Sequence, residues 1–390
     1  MEELTVGARV ELRVGPPAHG GHCVSRVDGQ VVFVRHALPG ERVVATVTEV
    51  TRSFCRADAV DILDAAPGRV AQPCPFARPD LCGGCDLQHA AGPAQREWKA
   101  TVVREQLARL AGLTEVDVPV APLPGGLLGW RSRVRYAVSD SGVPGLRKYR
   151  SHEVVPIDRC LIAHPAIQAL DVLAVRWPGE DSVTAVASSG GDVTVLASGR
   201  VAAGPARVRE HAAGREWTVD AAGFWQVHPH APDTLTAAVW DLLAPRPGEH
   251  VWDLYGGAGL FAAALAPAVA GVTLVEADRR GVAAARRNLR DLPGVRVVPG
   301  RVERALGRLP VPDLVVLDPP RAGAGAAVVR AIAAAAPRAV AYVACDPAAL
   351  ARDIGTFRTL GWRLAALRAY DMFPMTGHVE CVALLTPGTR

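Results

Sequence analysis

The sequence predicts a chain of α/β and β class in three parts: a small β-barrel over 1–62, a central α+β region over 63–218, and a doubly wound parallel α/β domain over 219–390. Three observations carry this reading. Short β-branched runs broken by glycine turns fill the first part. Strands alternating with alanine-rich helical segments fill the last. A cysteine cluster and an arginine-rich strand lie between them. At 390 residues the chain has room for two or three domains, and with 49% apolar residues it can bury real cores. The net charge of +4 permits a nucleic-acid partner without requiring one. No apolar run reaches the roughly 18 residues of a membrane span, and the acidic start Met1-Glu-Glu-Leu-Thr lacks the apolar stretch of a signal peptide. The expectation is a cytoplasmic protein with no membrane contact and no obligate protein partner. Its eight cysteines then serve as metal ligands, catalysts or packed thiols rather than disulfides.

In the first part, Val10–Val14, Gln30–Arg35 and Arg42–Val50 carry the strand pattern, and Gly20-Gly21, Asp28-Gly29 and Pro39-Gly40 mark turns. A small closed barrel suits this length, either as a structural cap or as an oligonucleotide-binding module. Residues 5–62 resemble a TRAM domain, the small OB-like barrel attached to several RNA-modifying enzymes. Cys23 and Cys55 match no ligand spacing and read as packed thiols.

The central part opens on Cys74, then Cys82-Gly-Gly-Cys85. Two cysteines separated by two glycines can turn both thiolates onto one metal centre. Cys160 is the remaining unassigned cysteine of this region and supplies a fourth ligand. Four thiolates suit zinc or an iron–sulfur cluster. Gln95 to about Leu110 reads as a helix with Trp98, Val102, Leu107 and Leu110 near one face. In the strand Trp130–Tyr136, Arg131, Arg133 and Arg135 alternate, so they share a face that either meets solvent or contacts phosphates. Residues 165–215 are weakly patterned and suggest no chemistry.

In the last part, strands fall at 251–255, 272–276, 295–298, 314–317, 340–343, 362–369 and 379–385, the final two pairing antiparallel. Ligands of such sheets bind at the carboxyl ends of the strands. Asp253-Leu-Tyr255-Gly256-Gly257-Ala-Gly259 follows the first strand and opens a helix, its glycines admitting close backbone approach, and Glu276 ends the next strand, where it can accept both hydroxyls of a ribose. The fourth strand ends in Asp318-Pro-Pro-Arg321, whose prolines hold the acid rigidly at the edge. The fifth ends in Cys345-Asp-Pro347, because proline cannot continue a central strand. A cysteine there is either a small buried hydrophobe or an activated nucleophile. Glu380 lies in the apolar run 378–385, and burying a lone carboxylate there is costly without a purpose.

These motifs, with Cys82–His89, Gln95 and Lys99, Phe224–Pro229, Leu350–Asp353 and Asp371–Glu380, resemble the RNA uracil-5 methyltransferase family over nearly the whole chain. The resemblance implies a Rossmann-like class I methyltransferase domain that uses S-adenosylmethionine and acts on a single-stranded or flipped-out uridine, in ribosomal RNA or else transfer RNA. It implies Gln226, Tyr255, Glu276 and Asp318 at the cofactor, Cys345 as nucleophile and Glu380 as base. It implies a 4Fe–4S cluster on Cys74, Cys82, Cys85 and Cys160, as in the ribosomal-RNA branch. Four positions depart from the family pattern: Gly256 for a small Cys or Ser, His228 and Asp346 where asparagine is usual, and Gly92 for tyrosine. The Gly256 change should be harmless, whereas an ionised Asp346 beside Cys345 raises the thiol pKa unless it points away. The alternatives are an exocyclic-amino methyltransferase, which needs neither Cys345 nor Glu380, and an RNA-binding or oxygen-sensing protein with an inactive transferase domain.

Overall fold

The computed structural model describes residues 4–388; the acidic first three residues of the expected barrel part and the last two of the C-terminal part lie outside them. The N-terminal strands Arg9–Arg13, Pro17–Ala18, His22–Val27, Gln30–Arg35, Arg42–Val50 and Phe54–Asp64 form one six-stranded sheet. The chain bends at Gly15, so that Pro17–Ala18 runs on from the first strand to pair with His22–Val27 and curl the sheet round. Gly15 N–H donates to Val24 O (2.9 Å), and a Cβ at Gly15 would lie 2.3 Å from that same oxygen. Only glycine permits so close an approach. Cys23 and Cys55 are fully buried in this barrel, as packed thiols.

The barrel core is completed from outside by Leu87, Ala90, Trp98 and Val102. The last two belong to the helix Gly92–Gln106, which continues as a π-helical turn over Leu107–Ala111. The sequence suggests one apolar face here, and the structure shows two. Trp98 and Val102 enter the barrel core, whereas Ala100, Val103 and Leu107 enter the core of the C-terminal sheet. Residues four apart share a helix face, and residues two apart do not. The helix is therefore a joint between the barrel and the C-terminal layers.

Lys99 lies on this helix, fully buried, with Nζ 2.5 Å from Asp371 Oδ1 and donating to Phe373 O at 3.0 Å. Burial lowers the lysine pKa and the Asp371 charge opposes that shift. Removing one partner of a buried pair strands the other charge, at about 3–5 kcal/mol. Lys99→Met should lose that much in denaturant unfolding, and Lys99→Met/Asp371→Leu should recover most of it. A single-variant loss within about 1 kcal/mol would mean that the pair is not what pins the helix.

The C-terminal sheet has eight strands in the order Val295–Pro299, Gly271–Glu276, His250–Leu254, Leu314–Leu317, Ala339–Ala344, Glu380–Pro387, Trp362–Asp371, Val120–Pro122. The first five are parallel, and Glu380–Pro387 is antiparallel to both neighbours. The short edge strand Val120–Pro122 is not legible in the sequence; it pairs parallel to the end of Trp362–Asp371. Two apolar cores cover the two faces, which is why the central strands read as unbroken apolar runs.

Between barrel and sheet lies a second six-stranded sheet, ordered Val154–Pro156, Pro144–Arg147, Arg133–Val138, Ser182–Ala187, Val193–Ala197, Arg200–Ala203. The alternating arginines do not form one free face. Arg131 precedes the strand, and its Nε donates to Arg133 O. The Arg133 side chain is 10% exposed, donates to Ala221 O (3.1 Å) and Gly223 O (3.0 Å), and pairs with Glu210. Period-two spacing sets which side of the strand a residue takes, but not what packs there. Arg135 alone of the three is exposed.

Candidate active site

The site gathers at the carboxyl edge of the C-terminal sheet. Leu314–Leu317 delivers Asp318, and Ala339–Ala344 delivers Cys345. The antiparallel register sets Ala344 opposite Cys381, so Cys345 and Glu380 fall on the next rung. Cys345 is half-buried, and Glu380 and Asp371 are buried. Burial pushes the Cys345 thiol up to about 11; the charges of Glu380 and Asp318 add to the shift, and Arg321 opposes it. Burial also drives Glu380 well above the ordinary carboxylate range, with the Asp318 charge adding and Arg321 opposing. Burial and mutual repulsion thus disfavour the charged forms of both the Cys345 thiol and the Glu380 carboxyl.

Asp346 does not face the thiol. Its Oδ1 accepts the Ala349 N–H (2.8 Å) and caps the helix Pro347–Thr359, and its Oδ2 lies 3.0 Å from His19 Nε2. Its charge is the least of the named influences on Cys345. His19 comes from the barrel loop before His22–Val27, so the barrel reaches the flank of the nucleophile candidate. No sequence pattern signals a contact across that span.

The loop before Glu380 is held from two sides. Met375, at φ 69°, receives hydrogen bonds through its carbonyl from Asp86 N (3.0 Å) and Leu87 N (2.9 Å), and its own N–H donates to Gln95 Oε1 (2.7 Å). Gly377 N–H donates to Asp86 Oδ2 (3.0 Å). The Asp318-Pro-Pro-Arg321 turn is fixed from behind by Asp353, whose Oδ2 accepts Ala324 N (2.8 Å) and Tyr342 Oη (2.6 Å).

The glycine turn after His250–Leu254 holds a second group of acids. Tyr255 sits at φ 62°, just beyond the strand rather than in it, half-buried. Gly257 N–H donates to Glu276 Oε2 (2.8 Å) and Asp278 N–H to Glu276 Oε1 (2.6 Å), which aim the carboxylate along the strand end. Gly256 is not a neutral replacement: a Cβ there would lie 2.4 Å from Leu274 Cγ, so the leucine fills the room that a larger residue would need. Sequence reasoning misses Asp253 as a site residue, because one acid inside an apolar strand run looks like strand. It is fully buried; Oδ2 accepts Ala262 N (2.9 Å) and Oδ1 has no hydrogen-bond partner among the described residues. Burial lifts its pKa to about 7, with the charges of Asp318 and Glu276 adding. Asp253, Glu276 and Asp318 therefore converge on one edge with an unpaired acceptor, which fits a ligand carrying positive charge. Gln226 is half-buried, and no hydrogen bond joins its side chain to the other three cofactor candidates among the described residues. The nearby His228 is buried and stacks on Trp130, with centroids 5.9 Å apart.

Cys74, Cys82, Cys85 and Cys160 all line one cavity of about 70 Å³, walled otherwise by apolar side chains and Gln88, Arg131, Arg135 and Arg159. Gly84 N–H and Gln88 Nε2 each donate to a sulfur, of Cys82 and Cys85 respectively, at 3.4 Å. Burial raises the Cys82 thiol to about 11 and raises Cys85 and Cys160 as well. Among the described residues, no group of three or more His, Cys, Asp or Glu is arranged to hold a metal ion. Gly83 is needed for a different reason than its turn: a Cβ would meet the Tyr149 nitrogen at 2.5 Å, where the cysteine loop crosses the backbone beyond Pro144–Arg147.

Known proteins share these features. A TRAM domain model matches residues 3–60, and a tRNA (Uracil-5-)-methyltransferase model matches residues 310–387. A relative from Streptomyces avermitilis described as an RNA methyltransferase is 48% identical, over 99% of this chain and 100% of the relative. Another RNA methyltransferase, from Bifidobacterium longum, is 37% identical over 97% of each chain. The structure of Pyrococcus abyssi tRNA (uracil-54, C5)-methyltransferase in complex with S-adenosyl-L-homocysteine superposes with a TM-score of 0.75 at 23% identity, covering 96% of this chain and 99% of that one. At that identity the likeness is one of fold.

Proposed function

The chain belongs to the RNA uracil-5 methyltransferase family, and from that premise we propose that it methylates C5 of a specific uridine through a covalent adduct at Cys345. The observation that carries this is the meeting of Cys345, just past the Ala344–Cys381 rung, with the buried Glu380 and with Asp318, whose charges both act on the thiol. C5 of uracil is a poor nucleophile. In the proposed reaction the Cys345 thiol loses its proton to solvent, the thiolate adds to C6, and the C5–C6 electrons move into an enolate that makes C5 nucleophilic. Bound S-adenosylmethionine supplies the methyl group and a positive charge; Glu276 and Asp318, with Gln226 and Tyr255, are the residues that would hold it. Glu380, acting in its ionised form, then takes the C5 proton, the C5–C6 double bond re-forms, and the sulfur leaves with the electrons of its bond to C6. The perpendicular approach to C6 requires a base that is unstacked or flipped out.

The RNA in this reading is ribosomal, on the strength of the four-cysteine cavity together with the barrel; the activity named for the P. abyssi neighbour makes transfer RNA the second choice. Cys74, Cys82, Cys85 and Cys160 would hold a 4Fe–4S cluster. The apolar lining and the N–H···S bonds suit such a group, and four sulfurs around a cavity rather than around a point suit a cluster better than one zinc ion. Anaerobically purified protein should carry iron and acid-labile sulfide; stoichiometric zinc would overturn the cluster.

The test of function is the product. Unmodified ribosomal and transfer RNA incubated with methyl-labelled S-adenosylmethionine should yield 5-methyluridine. N6-methyladenosine would instead favour the exocyclic-amino reading, and tight RNA binding with no product at any pH the inactive one.

A further inference from the structure

A second cavity, of about 350 Å³, lies between the barrel and the central part, and Cys345, Glu380 and Asp318 are not among its lining residues. That volume is within the roughly 300–1,000 Å³ of small-ligand sites. Its barrel wall carries an aromatic and guanidinium series. Phe33 meets Phe54 edge-on at 5.3 Å, and the Arg56 guanidinium lies 5.5 Å from the first ring and 5.0 Å from the second. From the central part comes Tyr149, with the Arg35 guanidinium 3.6 Å above its ring centroid.

Arg35 is the unusual member. Its side chain is 8% exposed, yet Nε and Nη2 are buried without a hydrogen-bond partner among the described residues. Asp58 and Asp86 stand at 3.9 and 3.7 Å, close enough for attraction but too far for hydrogen bonds. A buried guanidinium left with unmade hydrogen bonds is costly unless something else completes them. Arg78 and Arg150 also line the cavity, and neither forms an ion pair among the described residues. The acids present are partly committed: Glu49 pairs with Arg56 (2.9 Å) and Asp80 with Lys148 (3.0 Å).

We propose that this cavity is a subsite for one single-stranded nucleotide of the substrate RNA, its base against the Phe33 and Tyr149 walls and its phosphate among Arg35, Arg56 and Arg150. Rings alternating with guanidinium groups give any base a stacking surface, and cationic donors, Arg150 among them without an ion pair within the described residues, meet the backbone. The inference rests on the RNA-modifying reading but concerns binding rather than chemistry. The subsite would hold a nucleotide other than the reacting uridine and so act on affinity.

The test uses the full-length protein and a fluorescein-labelled oligouridylate, followed by anisotropy over a range of salt. Tyr149→Leu should weaken binding roughly fivefold to a hundredfold with the salt slope unchanged. The exposed Arg150→Gln, alone and with Arg56→Gln, should weaken binding and flatten the log–log salt slope by about 0.7 for each phosphate that is no longer neutralised. In methyl transfer these variants should raise KM for RNA and leave kcat at saturating RNA within about twofold. Arg35→Lys is the stricter variant, and the Tyr149→Leu and Arg56→Gln/Arg150→Gln variants decide the matter if it does not fold. Unchanged affinity and slope in Tyr149→Leu and Arg56→Gln/Arg150→Gln overturn the subsite. So does tight uridine monophosphate binding that these changes abolish while RNA affinity stays the same, since the cavity would then serve a free nucleotide. Absence of 5-methyluridine with the wild-type enzyme would overturn the proposed chemistry and leave the binding result standing.

Discussion

Replacing Cys345 with alanine should abolish 5-methyluridine formation, by about 10⁴-fold or more, while RNA and S-adenosylhomocysteine still bind. The size of the effect follows from the electronics of the ring. Without a sulfur on C6 no enolate forms, and neither Glu380 nor Asp318 can make C5 nucleophilic in its place. The alanine variant should also yield no RNA–protein complex that survives denaturation in detergent. Wild-type kinetics carry a companion signature. Burial and two neighbouring acids hold the thiol near 11 in the free enzyme. Raising pH therefore increases the thiolate fraction, and kcat/KM for RNA should climb close to tenfold per unit between about pH 7 and about pH 10. Arg321 is the one named charge that opposes the shift, so Arg321→Gln should lower the rate at any pH in that window. Methyl transfer that persists in Cys345→Ala would remove the covalent route.

Asp318 and Cys345 could be placed from sequence because a proline comes one residue after the first and two after the second, and proline ends a central strand at the ligand-binding edge of a parallel sheet. Asp253 could not. It lies just before the glycines, inside an apolar run, and only the three-dimensional convergence with Glu276 and Asp318 marks it as a neighbour of the other acids, with one buried oxygen unpaired among the described residues. The arginine row failed for a related reason. Alternation put Arg133 on one side of its strand, but the carbonyls of Ala221 and Gly223, far along the chain, consumed its donors. The helix Gly92–Gln106 was legible as a helix but not as a joint between two cores, since its two apolar faces are served by different partners. The Asp346 departure resolved once its cap to Ala349 and its His19 partner were seen, and neither interaction has a local sequence signal beyond the Asp-Pro start of a helix. What sequence conveyed was chemistry at element ends. What it withheld was which distant backbone or side chain meets each polar group.

Glu380→Gln separates the two halves of the proposed reaction. Glutamine keeps the shape of the side chain but cannot accept the C5 proton. Addition of Cys345 and transfer of the methyl group should still occur, after which the methylated adduct has no route forward. Turnover should fall by about 10²–10⁴-fold. A protein–RNA complex carrying the methyl label should accumulate in its place, visible after denaturing electrophoresis. The variant should not be unfolded, because burial already disfavours the ionised form of Glu380 and a neutral amide removes that penalty. An equal or raised melting temperature together with a trapped adduct would therefore point to lost proton transfer rather than lost structure. The double variant Cys345→Ala/Glu380→Gln should trap nothing. Near-normal turnover in Glu380→Gln would move the base elsewhere, and Asp318, half-buried and with a charge that raises the Glu380 carboxyl, is the next carboxylate to replace.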